Sequence, residues 1–292
     1  MVGKAVAYSS VIRDYIVLTK PGIVLLVLIT TLTGMYLAQR GFPDPWLVFW
    51  TLLGTGLASA GSAVLNQFFD RDIDALMHRT RERPLPSGSV PPINAFFFGL
   101  ILLLLSFLVL FFKVNLLSLF LVFLASFFYV VIYTLALKRK SPLATEIGGV
   151  SGALPPVIGY SAVKGEVDFP ALVLFLIMFL WQPPHFWVLA IKYMEDYKRA
   201  GIPTLPVVKG VEHTKIKTLI YTASLLPVSL LPTFYGLAGS FYFFSALLLS
   251  GLYLLLTVKF VLSKKPNGMF LFFYSVLYIA LLFSAMVFDM RR

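Results

Sequence analysis

Nine apolar stretches, each about 20 residues long and so able to cross a hydrocarbon layer, leave few folds open to this 292-residue chain. They fall at roughly 22–39, 46–68, 93–112, 115–137, 142–163, 168–191, 216–236, 240–262 and 268–288. Inside a bilayer each backbone polar group must find its partner within the protein, so successive spans of this length are helices. Only 13% of the residues are charged, roughly half the share in a soluble domain. The expected fold is an all-α polytopic membrane protein with nine transmembrane helices.

The arrangement of the basic residues sets an expected orientation, because Lys and Arg collect in cytoplasmic loops. With the N-terminus inside, 19 of the 24 Lys and Arg residues fall on the inner side. These are Lys4, Arg13 and Lys20; Arg71, Arg79, Arg81 and Arg83; Lys138 to Lys140; Lys192, Lys198, Arg199, Lys209, Lys215 and Lys217; and Lys259, Lys264 and Lys265. Arg40, Lys113, Lys164, Arg291 and Arg292 are left outside. Nine spans then put the C-terminus outside, and the net charge of +11 reflects topology rather than nucleic-acid binding. The lack of cysteine excludes disulfides, thiolate catalysis and Cys-ligated metals. Residues 1–20 lack a short apolar core and a small-residue cleavage site, so no cleaved signal peptide is expected.

Two inner loops, about 69–92 and 192–215, are longer than the other connections and carry acidic residues near the membrane, which marks them as functional. The first continues an apolar run through Asn66, Asp70 and Asp74, four apart and on one face if the helix persists. Asp72 lies about 200° around the helix from Asp70 and points elsewhere, to solvent or to an arginine. Two carboxylates and an amide oxygen in a row suit a hard cation such as Mg²⁺, which is held by a few carboxylates plus substrate phosphates. Arg79, Arg81 and Arg83 follow, and guanidinium groups pair with phosphate oxygens. Positive-inside topology alone would also place basic residues here.

Tyr193, Asp196 and Tyr197 form a second acidic and aromatic group. By itself it reads as an ordinary interfacial loop, but on the same membrane side as the first it becomes the other half of one site. Pro183-Pro184 must break or kink the sixth span, aiming Gln182 and His185 inward. An ionisable residue within a span is a functional candidate by default, and a neutral imidazole is a common metal ligand. The alternative for His185 is a bond to a carbonyl freed by the prolines. The small residues Gly54, Gly56, Ala58, Ser59, Ala60, Gly61, Ser62 and Ala63 either let helices pack closely or leave room for a bulky ligand beside Asn66.

These residues resemble the UbiA superfamily of intramembrane prenyltransferases, whose first motif, Asn-x-x-x-Asp-x-x-x-Asp, is matched by Asn66, Asp70 and Asp74. The likeness is greatest to the heme-directed branch. It is carried by Leu18-Thr19-Lys20-Pro21-Gly22, Asn66 through Leu85, Tyr133-Thr134-x-x-Leu137-Lys138-Arg139, Ile147-Gly148-Gly149 and Pro155-Pro156-Val157-Ile158-Gly159. Trp181-Gln182-x-Pro184-His185-Phe186-Trp187 and Asp196-Tyr197-x-x-Ala200-Gly201-Ile202-Pro203 complete it. It covers roughly residues 15–215, the last three spans matching only as hydrophobic helices. Two features depart from the pattern. Tyr193 and Tyr197 stand where aspartates four apart are usual, and Ser141-Pro142-Leu143-Ala144-Thr145-Glu146 replaces an expected Thr-Pro-x-Asn run.

The resemblance implies a single transmembrane prenyltransferase domain over 1–292, its helices around a central cavity, in the cytoplasmic membrane with the site loops on the cytoplasmic side. It implies farnesyl diphosphate and heme b as substrates and Mg²⁺ as cofactor, with the farnesyl group transferred to a heme vinyl group through an allylic cation. Asn66, Asp70 and Asp74 would hold Mg²⁺, and Asp196 a second ion or Tyr197. Lys20 and Lys138 would contact the diphosphate, Arg79 and Arg83 the diphosphate or a heme propionate, and His185 would ligate the heme iron. Tyr133, Tyr193 and Tyr197 would shield the cation. A terminal oxidase or a later heme-modifying enzyme is the class of protein that would receive the product.

Three rivals stand beside this expectation. A related prenyltransferase would act on an aromatic quinone precursor. A secondary transporter would use Asp70 and Asp74 as cation or proton sites, but those belong near the midplane, whereas these lie at one face. A non-catalytic heme-handling protein would need no aspartates.

Overall fold

A computed structural model describes residues 11–264 and 268–290. Of the positions used in the charge count, Lys4, Lys265, Arg291 and Arg292 lie outside the described residues. Residues 11–18 are helical and lead into α1 (Pro21–Gln39), α2 (Pro45–Leu76) and α3 (Pro92–Lys113). Next come α4 (Leu116–Phe127), which continues as a π-helix over Phe128–Leu137, then α5 (Ala144–Ala153) and α6 (Pro155–Lys164). The rest are α7 (Phe169–Lys192), α8 (Met194–Arg199), α9 (Leu205–Phe234), α10 (Ser240–Leu262) and α11 (Met269–Phe288).

Eight of these helical segments are long and apolar enough to cross a membrane: α1, α2, α3, α4 with its π-helical extension, α7, α9, α10 and α11. The difference from nine arises at 142–163, expected as one span. There α5 and α6 run in tandem, each ten residues and so about 15 Å long. Pro155-Pro156 lack the N–H groups that would bind carbonyls of the preceding turn, which separates the two. The expected loop at 69–92 is shorter, because α2 holds its helix through the acidic run to Leu76. The loop expected at 192–215 contains α8 and the first turns of α9. Gly210 interrupts α9 with φ +83° and ψ 168°, a conformation open to glycine and costly for other residues. Proline does not break α7, which runs through Pro183-Pro184.

The starts of the helices are written locally. Proline occupies the first turn of α1, α2, α3, α6, α7 and α9, where its missing N–H costs nothing. Asp44 and Asn115 cap α2 and α4 by accepting from Leu47 N and Ser118 N, each at 2.8 Å.

Glycines allow two close helix crossings. A methyl group on Gly34 of α1 would overlap the Pro156 carbonyl oxygen of α6, and one on Gly159 of α6 would overlap that of Thr31. On α2, a Cβ at Gly61 would stand 2.7 Å from the Gly99 carbonyl oxygen of α3. Close packing thus accounts for Gly61 of the small-residue stripe, while Ala58, Ser59, Ser62 and Ala63 line a cavity on another side of α2. An ion pair between Glu146 and Lys217, at 2.6 Å, ties α5 to α9.

Candidate active site

The acidic face of α2 closes against α1 and the π-helix. Asn66, Asp70 and Asp74 are all buried, Asp70 and Asp74 to 1% exposure. Asp72, on the other side, is exposed and pairs with Arg139 at 2.6 Å, as its helical position predicts. Buried carboxylates need compensation, and the surrounding bases supply it. Asp70 Oδ2 accepts from Lys138 Nζ at 2.5 Å and from Asn66 Nδ2 at 2.8 Å. Asp74 Oδ2 accepts from Arg83 Nη1 at 2.7 Å. Asn66 Oδ1 accepts from Lys20 Nζ at 2.9 Å, and its amide also donates to Thr134 Oγ1. Asp70 Oδ1 is buried and has no hydrogen-bond partner.

The bases are held from several elements. Lys20 precedes Pro21 and adopts φ +52°, ψ 63°, a left-handed conformation that strains a non-glycine residue by about 1–3 kcal/mol. Burial, with Arg83 and Lys138 nearby, lowers its pKa to about 7. Lys138 closes the π-helix through a 2.8 Å bond from its N–H to the Tyr133 carbonyl, five residues back. π-Helical geometry is frequent at functional sites. Here the turn sets Tyr129 and Tyr133 in a stack, centroids 5.8 Å apart, beside Lys20 and Lys138.

Two cavities meet at this point. A polar chamber of about 460 Å³ is lined by Lys20, Asn66, Asp74, Arg79, Arg83, Tyr129, Tyr133, Lys138, Gln182, His185, Tyr197 and neighbours. An apolar cavity of about 250 Å³ lies beyond it, between α1, α2, α4, α5, α6 and α7. Ile23, Tyr129, Ser151 and Gln182 belong to both walls, so the two are contiguous. Gln182 donates to the Gly149 carbonyl at 3.0 Å, and a Cβ at Gly152 would overlap its Oε1.

Other candidate residues are placed less centrally. Tyr197 is buried against Phe186 and lines the chamber. Tyr193 sits under the Arg79 guanidinium, 5.5 Å from ring centroid to Cζ. Asp196 stands 3.5 Å from Arg199 and is not among the residues lining the chamber. No cluster of three or more His, Cys, Asp and Glu occurs among the described residues. His185 is held through its Nδ1 by Ser275 Oγ at 2.7 Å, not by a carbonyl freed by the prolines.

The chain that carries this carboxylate pair, ring of bases and apolar pocket has relatives among known proteins. The UbiA prenyltransferase family matches residues 27–285. The chain belongs to the UbiA prenyltransferase family. A family relative, the protoheme IX farnesyltransferase of Aquifex aeolicus, is 62% identical over 286 residues, covering 98% of either chain. Among solved UbiA-like structures, one of a digeranylgeranylglyceryl phosphate synthase superposes with a TM-score of 0.81 at 20% identity, over 96% of this chain and 98% of its own. A UbiA homologue from Archaeoglobus fulgidus, bound to GPP and Mg²⁺, superposes at 0.61 and 18% identity, over 94% and 99%. At such identities the likeness is one of fold. Family membership makes the chain a multi-pass membrane prenyltransferase.

Three site residues escape a reading of the sequence. Tyr129 lies four before Tyr133 and is lost among an aromatic content of 16%. Thr134 touches Asn66 only because the π-helix turns it inward. Ser275 is carried by α11, whose sequence reads as plain hydrophobic helix.

Proposed function

We propose that this protein transfers the farnesyl group of farnesyl diphosphate to a vinyl group of heme b, with Mg²⁺ as cofactor. The observation that carries this reading is the near-complete match to a protoheme IX farnesyltransferase, together with a buried Asn66–Asp70–Asp74 face ringed by bases. The residues fit a hard cation. Asp70 Oδ1 is a buried carboxylate oxygen with no partner, and Asp74 and Asn66 add oxygen donors on the same face. Asp70, Asp74 and Asn66 would hold the ion. When bound, Mg²⁺ supplies positive charge to the leaving diphosphate. Asp196 is left out of this set because it is carried by α8, off the Asn66–Asp70–Asp74 face of α2.

Lys20, Arg79, Arg83 and Lys138 bind the diphosphate oxygens as charge develops there, and Arg79 and Arg83 are also placed to take a heme propionate. The C1–O bond breaks with its electron pair leaving on the diphosphate. Tyr129, Tyr133 and Tyr197 present ring faces to the allylic cation, an attraction of about 2 kcal/mol or more where water is excluded. The isoprenoid tail lies in the apolar cavity, which keeps water from the cation. The vinyl π pair of heme b forms the new C–C bond, and water captures the cation left on the porphyrin substituent, releasing a proton. His185 would ligate the heme iron and so hold the porphyrin within the chamber, leaving its rotation to the propionate contacts of Arg79 and Arg83.

The finer topology follows. The α5–α6 tandem spans 144–164 and is long enough, at about 30 Å, to cross once as a broken helix. Contacts at one end support nine crossings. Asn115 donates to the Ser161 carbonyl, Phe169 packs on Tyr235, and Gly239 N–H donates to the Asp289 carbonyl. The alternate connections therefore share a side, opposite the chamber. With the positive-inside rule, we infer an N-terminus and chamber at the cytoplasmic face, a C-terminus outside, and one domain over 1–292 in the cytoplasmic membrane.

The test is turnover by purified protein in detergent, given heme b, farnesyl diphosphate and Mg²⁺, with mass spectrometry of extracted heme. The expected result is a mass gain of farnesyl plus water, lost on adding EDTA. Prenylation of 4-hydroxybenzoate instead, with heme untouched, would move the acceptor to a quinone precursor. Absence of transfer to either would overturn the reading.

A further inference from the structure

We propose that Ser275 is a positioning residue that fixes the tautomer of His185, so that Nε2, with its lone pair free, is the nitrogen presented to the heme iron. The proposal rests on the reading of His185 as the iron ligand and identifies what prepares that ligand.

A serine hydroxyl has a single proton to give. Ser275 Oγ donates it to the Phe272 carbonyl oxygen at 2.6 Å, and a carbonyl can only accept. The 2.7 Å contact between Ser275 Oγ and His185 Nδ1 must then run the other way, with Nδ1–H donating to Oγ. A neutral imidazole protonated at Nδ1 carries its lone pair on Nε2.

The surroundings leave that nitrogen one direction. One face of the His185 ring stacks on Trp181, centroids 4.8 Å apart and planes at 21°. The other stacks on Phe272, at 4.4 Å and 24°. With both faces covered and the Nδ1 edge bound, the edge bearing Nε2 is what His185 contributes to the chamber wall. Trp181 is itself anchored at the same point, its Nε1 donating to the Ser275 backbone carbonyl at 2.7 Å. Ser275 therefore serves the ring twice, through its hydroxyl to His185 and through its backbone to the indole that packs on it. Partners of this kind, one bond beyond a metal ligand, set ring orientation and ligand basicity.

The hydroxyl can be removed without disturbing the indole, since the bond from Trp181 goes to the backbone. The experiment titrates the full-length detergent-purified protein with heme b. It reads affinity from the Soret band and the iron–histidine stretch of the ferrous complex by resonance Raman. Ser275→Ala should weaken heme binding by about 10–100-fold and shift the iron–histidine stretch, whereas Ser275→Thr, which keeps a hydroxyl, should restore both. Ser275→Val has the shape of Thr without its hydroxyl and should behave as Ser275→Ala, which separates hydrogen bonding from packing. In a His185→Ala background the further change Ser275→Ala should add nothing. Unchanged affinity and stretch in both Ser275→Ala and Ser275→Val, with His185→Ala abolishing the stretch, would overturn the role of Ser275 alone. A heme spectrum unaffected by His185→Ala would overturn the iron-ligand reading and this proposal with it.

Discussion

Asp70→Asn and Asp74→Asn should each abolish Mg²⁺-dependent farnesyl transfer while leaving the protein folded and in the membrane. Each change keeps the side chain's size and removes one negative charge. In the structure that charge is matched by Lys138 at 2.5 Å for Asp70 and by Arg83 at 2.7 Å for Asp74. Breaking such a buried pair leaves an uncompensated cation, which can cost about 3–5 kcal/mol. Both bases, however, line the open chamber and can regain water, so the loss of stability should be smaller than that. The loss of turnover should be larger, because the ion proposed to be held by these carboxylates would sit where charge changes during the reaction. Removal of one preorganised group at such a position costs roughly 10²–10³-fold in rate, and two carboxylates that share one ion act as a unit, so the double change should cost little more than either single one. The measurement is turnover across a Mg²⁺ titration, with thermal unfolding and membrane insertion followed in parallel. Turnover close to that of the unchanged protein in either variant would refute the assignment. Normal turnover restored by higher Mg²⁺ would instead identify weakened ion binding as the whole effect.

Much of this site is legible in the sequence, and the reason is periodic. Asn66, Asp70 and Asp74 recur at the helical repeat inside a run too apolar to be anything but a span, so their shared face and the opposite placement of Asp72 follow from counting. The basic residues are equally visible, but hydropathy cannot divide those that serve topology from those that meet the carboxylates. Lys138 reaches Asp70 and Arg139 reaches Asp72, adjacent residues with different fates set by the π-helix that precedes them. The site residues on α11 are illegible for a different reason. Ser275 contacts His185 across 90 residues, and a serine in an apolar helix usually satisfies itself on its own backbone. The division of the fifth expected span is a third case. Pro155-Pro156 announces a break, but whether the chain turns away or continues in line depends on Gly34 and Gly159 letting α1 and α6 touch.

That crossing gives the second large effect, and its sign is a contest between two terms. Alanine in place of a helical glycine gains about 0.5–1 kcal/mol in backbone entropy. At Gly251 of α10 an added Cβ meets nothing within 4 Å, so Gly251→Ala should be neutral or stabilising. At Gly34 and Gly159 the same methyl group meets backbone carbonyl oxygens, of Pro156 and Thr31. Backbone cannot rotate aside as a side chain does, so the helices must part. Overpacking of this kind costs about 1–3 kcal/mol, and with no hydrophobic drive between helices in lipid, the lost close packing has no substitute. Destabilisation should win in both variants, and the double variant should lose less than the sum, because the first methyl already opens the crossing. Function should suffer with it. Ile23 and Val27 of α1 and Pro155 and Ile158 of α6 all line the apolar cavity, so parting the two helices loosens the place proposed for the isoprenoid tail. Denaturant unfolding in mixed micelles measures the first effect, and the KM for farnesyl diphosphate, expected to rise in Gly34→Ala and Gly159→Ala and to hold in Gly251→Ala, measures the second. Equal stability of all three variants would show that the α1–α6 contact does not hold the helices at this distance.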